Sequence, residues 1–343
     1  MTKTIVGLEV TEESVRAAEV TLGRKPQLIA YGEVPLAPGS ARDSEVLDQG
    51  SVAVALRQLW TGARFKSRAA VLGVASRRIL VREYTTQAMR PDLLREALPY
   101  QVQDLLPVPA SQAVLDFYPL SQQGDQVSGL LVAAVAESIE QIISTLSRVK
   151  VRTQAVDLAA FGLARVTAPL ASPDETVATV SIGDHTTQVV VSRAGIPQFV
   201  RILPIDVETA ASRRHSLDLD VDVDGSKTPA LEYAGSAGST QQTRTRGLLR
   251  SATSPGLSDL AARLRSTLSF FASRPGASAP SQVFVTGAGA ADATMPALAS
   301  AIDIPLRLVN VTDVISTSAA PPAGEVSLNL VGTVGIALGE ATR

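Results

Sequence analysis

Three aspartates at alternate positions ahead of a glycine, Asp220-Val221-Asp222-Val223-Asp224-Gly225, have the spacing of the first half of a calcium loop. In such a loop the carboxylates at positions 1, 3 and 5 converge because the glycine turns the chain. The second half does not follow. Leu231 stands where the closing acid belongs, Glu232 comes one residue late, and Pro229 and the missing flanking helices argue against a paired-helix frame. A solvated acidic strand is the reading that remains. The only two histidines, His185 in a turn and His215 beside Arg213 and Arg214, supply neither a metal cluster nor a Ser-His-Asp triad, and both are expected at the surface. With no cysteine, disulfides, thiolate metal sites and cysteine nucleophiles are all excluded. No Gly-x4-Gly-Lys-Ser/Thr or Gly-x-Gly-x-x-Gly follows a strand, which removes two nucleotide-binding classes. Arg244, Arg246 and Arg250 form a small basic cluster without aromatic neighbours, so nucleic acid is not an expected partner. No residue is assigned a catalytic or metal-binding role.

The chain that must position any site is 343 residues long and 45% hydrophobic, enough for about two domains. Its formal charge is −2, from 31 basic and 33 acidic residues, so nothing draws the whole molecule toward nucleic acid or anionic lipid. The longest apolar run, within Leu130–Ala136, is closed by Glu137, well short of the roughly 20 residues that span a bilayer. Met1–Val10 lacks the apolar core of a signal peptide. A cytoplasmic protein is expected, reaching the membrane only through a partner.

Thr4–Val10, Glu13–Val20 and Leu28–Val34 predict a three-stranded meander. Asp43–Ala63 predicts a helix ending at Gly62, and Ala69–Val74 and Ile79–Thr85 two strands. Pro91 opens a helix expected to run through Leu106 with a kink at Pro99, its apolar face made by Leu93, Leu94, Ala97, Val102 and Leu105. Strands at 113–120 and 129–136, a helix at 138–149 and a strand at 152–156 follow. After the polar break Ser172-Pro173-Asp174-Glu175, where a domain boundary is placed, Thr176–Val180, Thr187–Ser192 and Gln198–Ile202 repeat the opening pattern with Glu9 laid on Ser181. Two such halves predict two similar α/β domains with a cleft between them. Residues 213–257, rich in Ser, Gly, Thr, Arg and Asp, predict a low-complexity loop. Ser258 is the expected N-cap of a helix bearing Leu260, Leu264, Leu268 and Phe271. Gln282–Thr286 predicts a buried strand, Gly287-Ala288-Gly289 a tight turn, 291–301 a helix, and 305–309 a strand. Leu330–Leu338 is an apolar close broken by Gly332 and Gly335.

In this order of parts the chain resembles the actin-like pilus assembly family PilM, kin to the division protein FtsA. The resemblance rests on Ile5-Val6-Gly7-Leu8-Glu9, on Leu94-Arg95-Glu96-Ala97 leading to Leu106-Pro107-Val108-Pro109 and Val114-Leu115-Asp116-Phe117, and on Gln154-Ala155-Val156-Asp157-Leu158. It continues through Ser181-Ile182-Gly183, Leu268-Ser269-Phe270-Phe271, Val283–Gly289 and the glycine-bearing close. It implies an α/β actin-like (ribonuclease H-like) fold. The first domain would be residues 1–175, with an extra subdomain inserted at about 86–150, and the second 176–343.

The resemblance also implies ATP with magnesium between the domains, its phosphates held by one hairpin turn per domain and its adenosine by a glycine-rich turn. The corresponding residues are Glu9, Thr11 and Ser14, then Gly183, Thr186 and Thr187, then Gly287 and Gly289. Small residues suit that work because they let backbone N–H groups approach the ligand. This chain departs from the pattern. Glu9 replaces an aspartate, Thr11 a glycine, Glu12 and Glu13 hydroxyl residues, and Ser181 the second aspartate. Two extra carboxylates would repel a triphosphate, and a magnesium-holding carboxylate is missing. The expectation is therefore a scaffold with a degenerate nucleotide site, in a type IV pilus or related type II secretion machine. It would hold the cytoplasmic tail of a PilN-like inner-membrane protein in a groove near the inserted subdomain, a groove without a motif. The assembly motor ATPase and further copies of the chain are the other partners implied. A working ATPase of the same fold would need a magnesium carboxylate at each turn and a base. An FtsA-like division protein would need an amphipathic C-terminal helix, whereas this sequence stops soon after Gly339.

Overall fold

The computed structural model describes residues 3–214, 255–291 and 294–341. In the first half β1 (Thr4–Val10), β2 (Ser14–Thr21) and β3 (Gln27–Pro35) form an antiparallel meander. A ribbon of β4 (Ala41–Arg42) and β5 (Glu45–Val46) precedes helix α1 (Gln49–Gly62). This helix starts later than the expected Asp43 because the Asp48 side chain accepts from the N–H groups of Gly50 and Ser51 and caps it. Asp43 and Ser44 have φ of 50° and 62°, which no helix accommodates. β6 (Ala69–Val74) lies parallel to β1.

β7 (Leu80–Gln87), β8 (Ala113–Gln123) and β9 (Gln126–Val135) form a separate antiparallel sheet in the order β7-β9-β8. On it sits α2 (Pro91–Gln101), whose Leu98 is buried with Leu131 and with Val102, the residue that follows the helix. The helix stops at Gln101 and a 3₁₀ turn, Gln103–Leu105, takes the place of the expected run to Leu106. Leu93, predicted on the apolar face, is exposed, and Leu98, left out of it, is buried. α3 (Ala136–Arg148) packs on α1, and β10 (Arg152–Leu158) extends the first sheet beside β6. The inserted sheet thus runs from Leu80 to Val135. It begins and ends earlier than 86–150 because β7 pairs along its length with β9, while α3 belongs to the first domain's face.

After α4 (Ala159–Thr167), the strands β11 (Thr176–Ile182), β12 (Thr186–Arg193) and β13 (Ile196–Pro204) repeat the meander. Residues 210–214 are helical, and the rest of the predicted loop to Ser254, with the acidic Asp220–Gly225 motif, His215 and the arginine cluster, lies outside the described residues. α5 (Pro255–Ala272) already contains Ser258, so that residue is inside the first turn rather than its cap. A proline opening the helix forfeits no hydrogen bond there. β14 (Gln282–Thr286) and β15 (Leu306–Leu308) lie parallel to β11 and to each other, with α6 (Thr294–Ala299) between them in sequence. The two sheets have the orders β10-β6-β1-β2-β3-β16 and β13-β12-β11-β14-β15.

The end of the chain corrects the expected boundary at 176–343. After α7 (Val311–Val314), β16 (Ser316–Thr317) pairs with β3, and α8 (Gly324–Ala341) packs on β1, β2, β6 and α4. The first domain is therefore made by both ends of the chain. Leu330, Val331, Val334, Ile336 and Ala337 are buried in the same core as Leu8 and Leu72, so the apolar close is one uninterrupted helix. Its glycines permit contact rather than break it. A Cβ on Gly7 would lie 2.1 Å from Thr333 O, and one on Gly335 would lie 2.1 Å from Gly162 O.

Candidate functional site

The first two strands of each half match in length, and the turn between them is closed in each half by one backbone bond. Thr11 N–H donates to Ser14 O at 2.8 Å and Gly183 N–H to Thr186 O at 2.9 Å. The turns face each other across a cleft. Glu9, Thr11, Gly183 and Thr186 line it, along with Glu12, Arg16, Asp184, His185 and Gln188. Four other predicted residues do not. The Ser14 hydroxyl donates to Glu33 Oε1 at 2.7 Å, and Thr187 is fully buried. Gly287, at φ 89°, and Gly289 press against Ile182, where a Cβ would come within 2.3 Å of its carbonyl oxygen and 2.5 Å of its Cγ2. Ala288 N–H is taken by Asn329 Oδ1 at 2.8 Å, so this turn is engaged with α8.

The cleft is filled by the chain's own charges. Glu9 and Arg16 sit opposite each other on β1 and β2 and pair at 3.3 Å, both buried, and the Thr333 hydroxyl of α8 donates to the same carboxylate. Burial alone would lower the Arg16 pKa, but the carboxylates of Glu9, Glu33 and Asp184 more than offset it and hold the guanidinium charged. Burial pushes the Asp184 carboxyl up, against a hydrogen bond from Thr209 and the nearby Arg16. Glu13 and His185, 172 residues apart, occupy equivalent positions in the two turns, and His185 Nε2 lies 2.8 Å from Glu13 Oε1. Nδ1 lies 2.8 Å from Asp206 Oδ1. His185, expected at the surface, thus bridges the two domains. Arg16, Asp184 and His185 were not among the predicted site residues. The signal for His185 was present in the repeat: aligned turns carry opposite charges at one position.

The hydrogen bond to Glu13 raises the His185 pKa to about 9, against its burial, with help from Asp206 and the charge of Glu12. Since the folded pKa lies above the unfolded value near 6.5, the bridge stabilises fully below about pH 6.5 and its contribution is lost as pH rises through 9. With one-third of the side chain exposed, solvent screening leaves about 1–2 kcal/mol. The gap in urea midpoint between the parent and His185→Ala is expected to be widest near pH ~6 and closed by about pH 10.

A second, larger cavity of about 630 Å³ lies between the inserted sheet and the first domain. β8 supplies one wall. Its alternation sends Leu115 and Phe117 inward to Leu98 and Leu131, and turns Val114, Asp116 and Tyr118 to the groove. The other wall is Ala155, Val156 and Asp157 of β10, the edge strand of the six-stranded sheet. Tyr118 and Phe161 pack with ring centroids 5.1 Å apart, while Arg165 pairs with Asp157 and donates to Gly335 O at 2.6 Å. Val114 and Val156 remain 49% and 39% exposed, apolar surface with no cover among the described residues. None of these groove residues was predicted as a site, because their spacing follows a fold contact and not a motif.

A family model described as type IV pilus assembly protein PilM matches residues 7–203. Among solved structures, the chain aligns with a PilM-PilN type IV pilus biogenesis complex at a TM-score of 0.80 and 24% identity, covering 99% of each chain. It also aligns with the cytoplasmic domain of EpsL, an inner membrane component of the type II secretion system of Vibrio cholerae, at a TM-score of 0.48 and 11% identity over 98% and 95% of the two chains. A Bacteroides thetaiotaomicron protein with an actin-like ATPase fold aligns at 0.44 and 8% identity over 92% and 93%. The repeated meander with its parallel strands is the actin-like fold, and the chain belongs to the PilM family of type IV pilus assembly proteins.

Proposed function

We propose that the chain is a scaffold at the cytoplasmic face of the membrane that holds the tail of a PilN-like membrane protein in the groove between β8 and β10. The observation that carries this reading is the groove itself: about 630 Å³, mostly apolar and bordered by an unpaired sheet edge. That volume is typical of a ligand site, and a sheet edge beside it is able to pair with an extended peptide. No helix of the described residues is long and apolar enough to cross a membrane. The solved PilM-PilN complex, aligned over 99% of both chains, supports a PilN-like partner.

The cleft supports a scaffold over an ATPase. Its cavity is about 40 Å³, against roughly 300–1,000 Å³ for small-molecule sites. Glu9, Glu12 and Asp184 line it, and the two cations of the cleft, Arg16 and His185, are already paired with Glu9 and Glu13, so a triphosphate would have to displace the chain's own carboxylates to reach a donor. This lining supports weak binding of Mg-ATP at most. At millimolar Mg-ATP the melting temperature is expected to stay unchanged, whereas a ligand at 100 times its dissociation constant would add about 2.7 kcal/mol and several degrees. The groove is tested by calorimetry with the cytoplasmic tail of a PilN-like protein. Val156→Arg, at an exposed position, should leave folding intact and reduce affinity about 100-fold, as loss of a central apolar contact and burial of a charge do. Undiminished binding would move the site elsewhere.

A further inference from the structure

The inserted sheet hangs from the first domain by one end. The chain enters it at Leu80 and leaves it at Val135, and Leu80 pairs with Ala133, so both crossings lie at the same end of the three strands. At the far end Gln87 and Gln123 both pair with Gln126, next to the turn at Gly124. Between these ends the sheet meets the second domain, where β7 lies beside β13 without pairing with it. An ion pair crosses that seam, from Glu83 on β7 to Arg274, two residues past α5. The guanidinium lies 5.7 Å from the ring centroid of Phe199 on β13 and 5.3 Å from that of Phe271 on α5, within cation–π range. Arg274 is thus seated on the second domain, and Glu83 reaches it from the inserted sheet. Beside the pair the seam is open: a cavity of about 420 Å³ is lined by Leu120 and Ser121 of β8 and by Ile196 and Gln198 of β13. Arg193 also lines it but pairs with Asp174 at 3.4 Å, so Glu83 is left to Arg274. Close-packed surfaces resist relative motion, and a seam with that much space between its walls does not.

We propose that the Glu83–Arg274 pair is a pin through which the second domain sets the position of the inserted sheet, so that a change in the angle between the two domains moves the β8 wall of the groove. The second domain is held at two separate places. At the cleft His185 bridges to Glu13 of the first domain, and at the seam Arg274 bridges to the inserted sheet. A rotation that opens the first bridge therefore pulls on the second. Hung from one end, the sheet follows its pin, and the ring contact of Tyr118 with Phe161 of α4 is apolar and permits sliding. The opposite wall of the groove stays behind, because β10 pairs with β6 and α3 packs on α1 in the first domain. The groove thus changes width with the cleft, whatever occupies either. A pair in which Glu83 is half exposed is weak, as surface ion pairs are, and that suits a contact that must release as well as hold. Coupling between sites needs an element with two arrangements that both sites bias, here the pair made or released.

The sequence has no cysteine, so pairs of introduced cysteines carry spin labels at chosen positions only, and pulsed electron–electron resonance on the full chain reads the distance between them. Labels on Gln123, at the tip of the sheet, and Ser269, on α5, report the seam, and labels on Asp116 and Glu140 report the groove. All four positions are exposed. In the parent each pair is expected to give one narrow distribution. Glu83→Gln should broaden both about twofold, and Glu83→Lys, which meets Arg274 with a like charge, should displace the seam pair to longer distance still. Raising salt should bring the parent toward Glu83→Gln and leave Glu83→Gln unmoved. Glu83 is half exposed, so both variants should melt as the parent does. Identical distributions in all three proteins would overturn the pin. A seam pair that broadens while the groove pair stays as narrow as in the parent would overturn the coupling to the groove.

Discussion

Gly335→Val is expected to destabilise the protein by about 3 kcal/mol or more, seen as a lower urea midpoint with an unchanged slope. The Cβ it introduces would lie 2.1 Å from Gly162 O and 2.5 Å from Gly162 C, distances that no side-chain shift relieves because both atoms are backbone. α8 and α4 would have to separate. Their contact joins the core of the first domain to the helix that also packs on β12 and β13 of the second, so the loss would spread beyond one residue. The same kind of change at Gly62, at the end of α1, meets nothing within 4 Å. Gly62→Ala should therefore be neutral or stabilising by up to about 1 kcal/mol through helix propensity. Equal behaviour of the two variants would show that α8 does not seat on α4 as described.

Arg16→Met should cost about 3–5 kcal/mol near neutral pH, the range seen when one member of a buried ion pair is removed. The guanidinium is the cation beside Glu9, with Glu33 and Asp184 close enough to act on it, and both Glu9 and Arg16 are almost fully buried. Without it, Glu9 must stay charged and uncompensated or take up a proton. Adding Glu9→Gln to Arg16→Met should recover most of the loss at neutral pH, since a neutral amide can still accept from Thr333. Urea midpoints of the single and double variants from about pH 5 to 8 decide it. A loss under about 1 kcal/mol for the single variant would mean that the cleft is wetter and less organised than its geometry implies.

The elements near these sites were legible where periodicity was strong and local. The meanders at 4–35 and 176–204 alternate, end in polar turns and repeat, and the repeat alone predicted two related domains with a cleft. What the chain does with its ends was not legible. Gly332 and Gly335 looked like interruptions of an apolar stretch, because a glycine needed for close helix contact and a glycine that ends a helix read alike in one sequence. Only the placement of Gly7, Gly73 and Gly162 beneath α8 tells them apart. His185 was misplaced for a related reason: a lone histidine in a turn is usually exposed, and its partner Glu13 lies in the other half of the chain. The groove was invisible to motif reading because its walls, at 114–118 and 155–157, are ordinary alternating strands whose outward residues meet only after folding.

Hydrogen exchange on the chain with and without the cytoplasmic tail of a PilN-like membrane protein tests the central claim most directly. Slowed exchange is expected in two segments, Ala113–Tyr118 on β8 and Arg152–Leu158 on β10, because an extended tail would bond to the free edge of β10 and cover the outward face of β8. Residues 11–14 and 183–186, around the cleft, should be unchanged. Protection confined to those turns, with β8 and β10 exchanging as they do in the free chain, would contradict the account and return the function to the cleft.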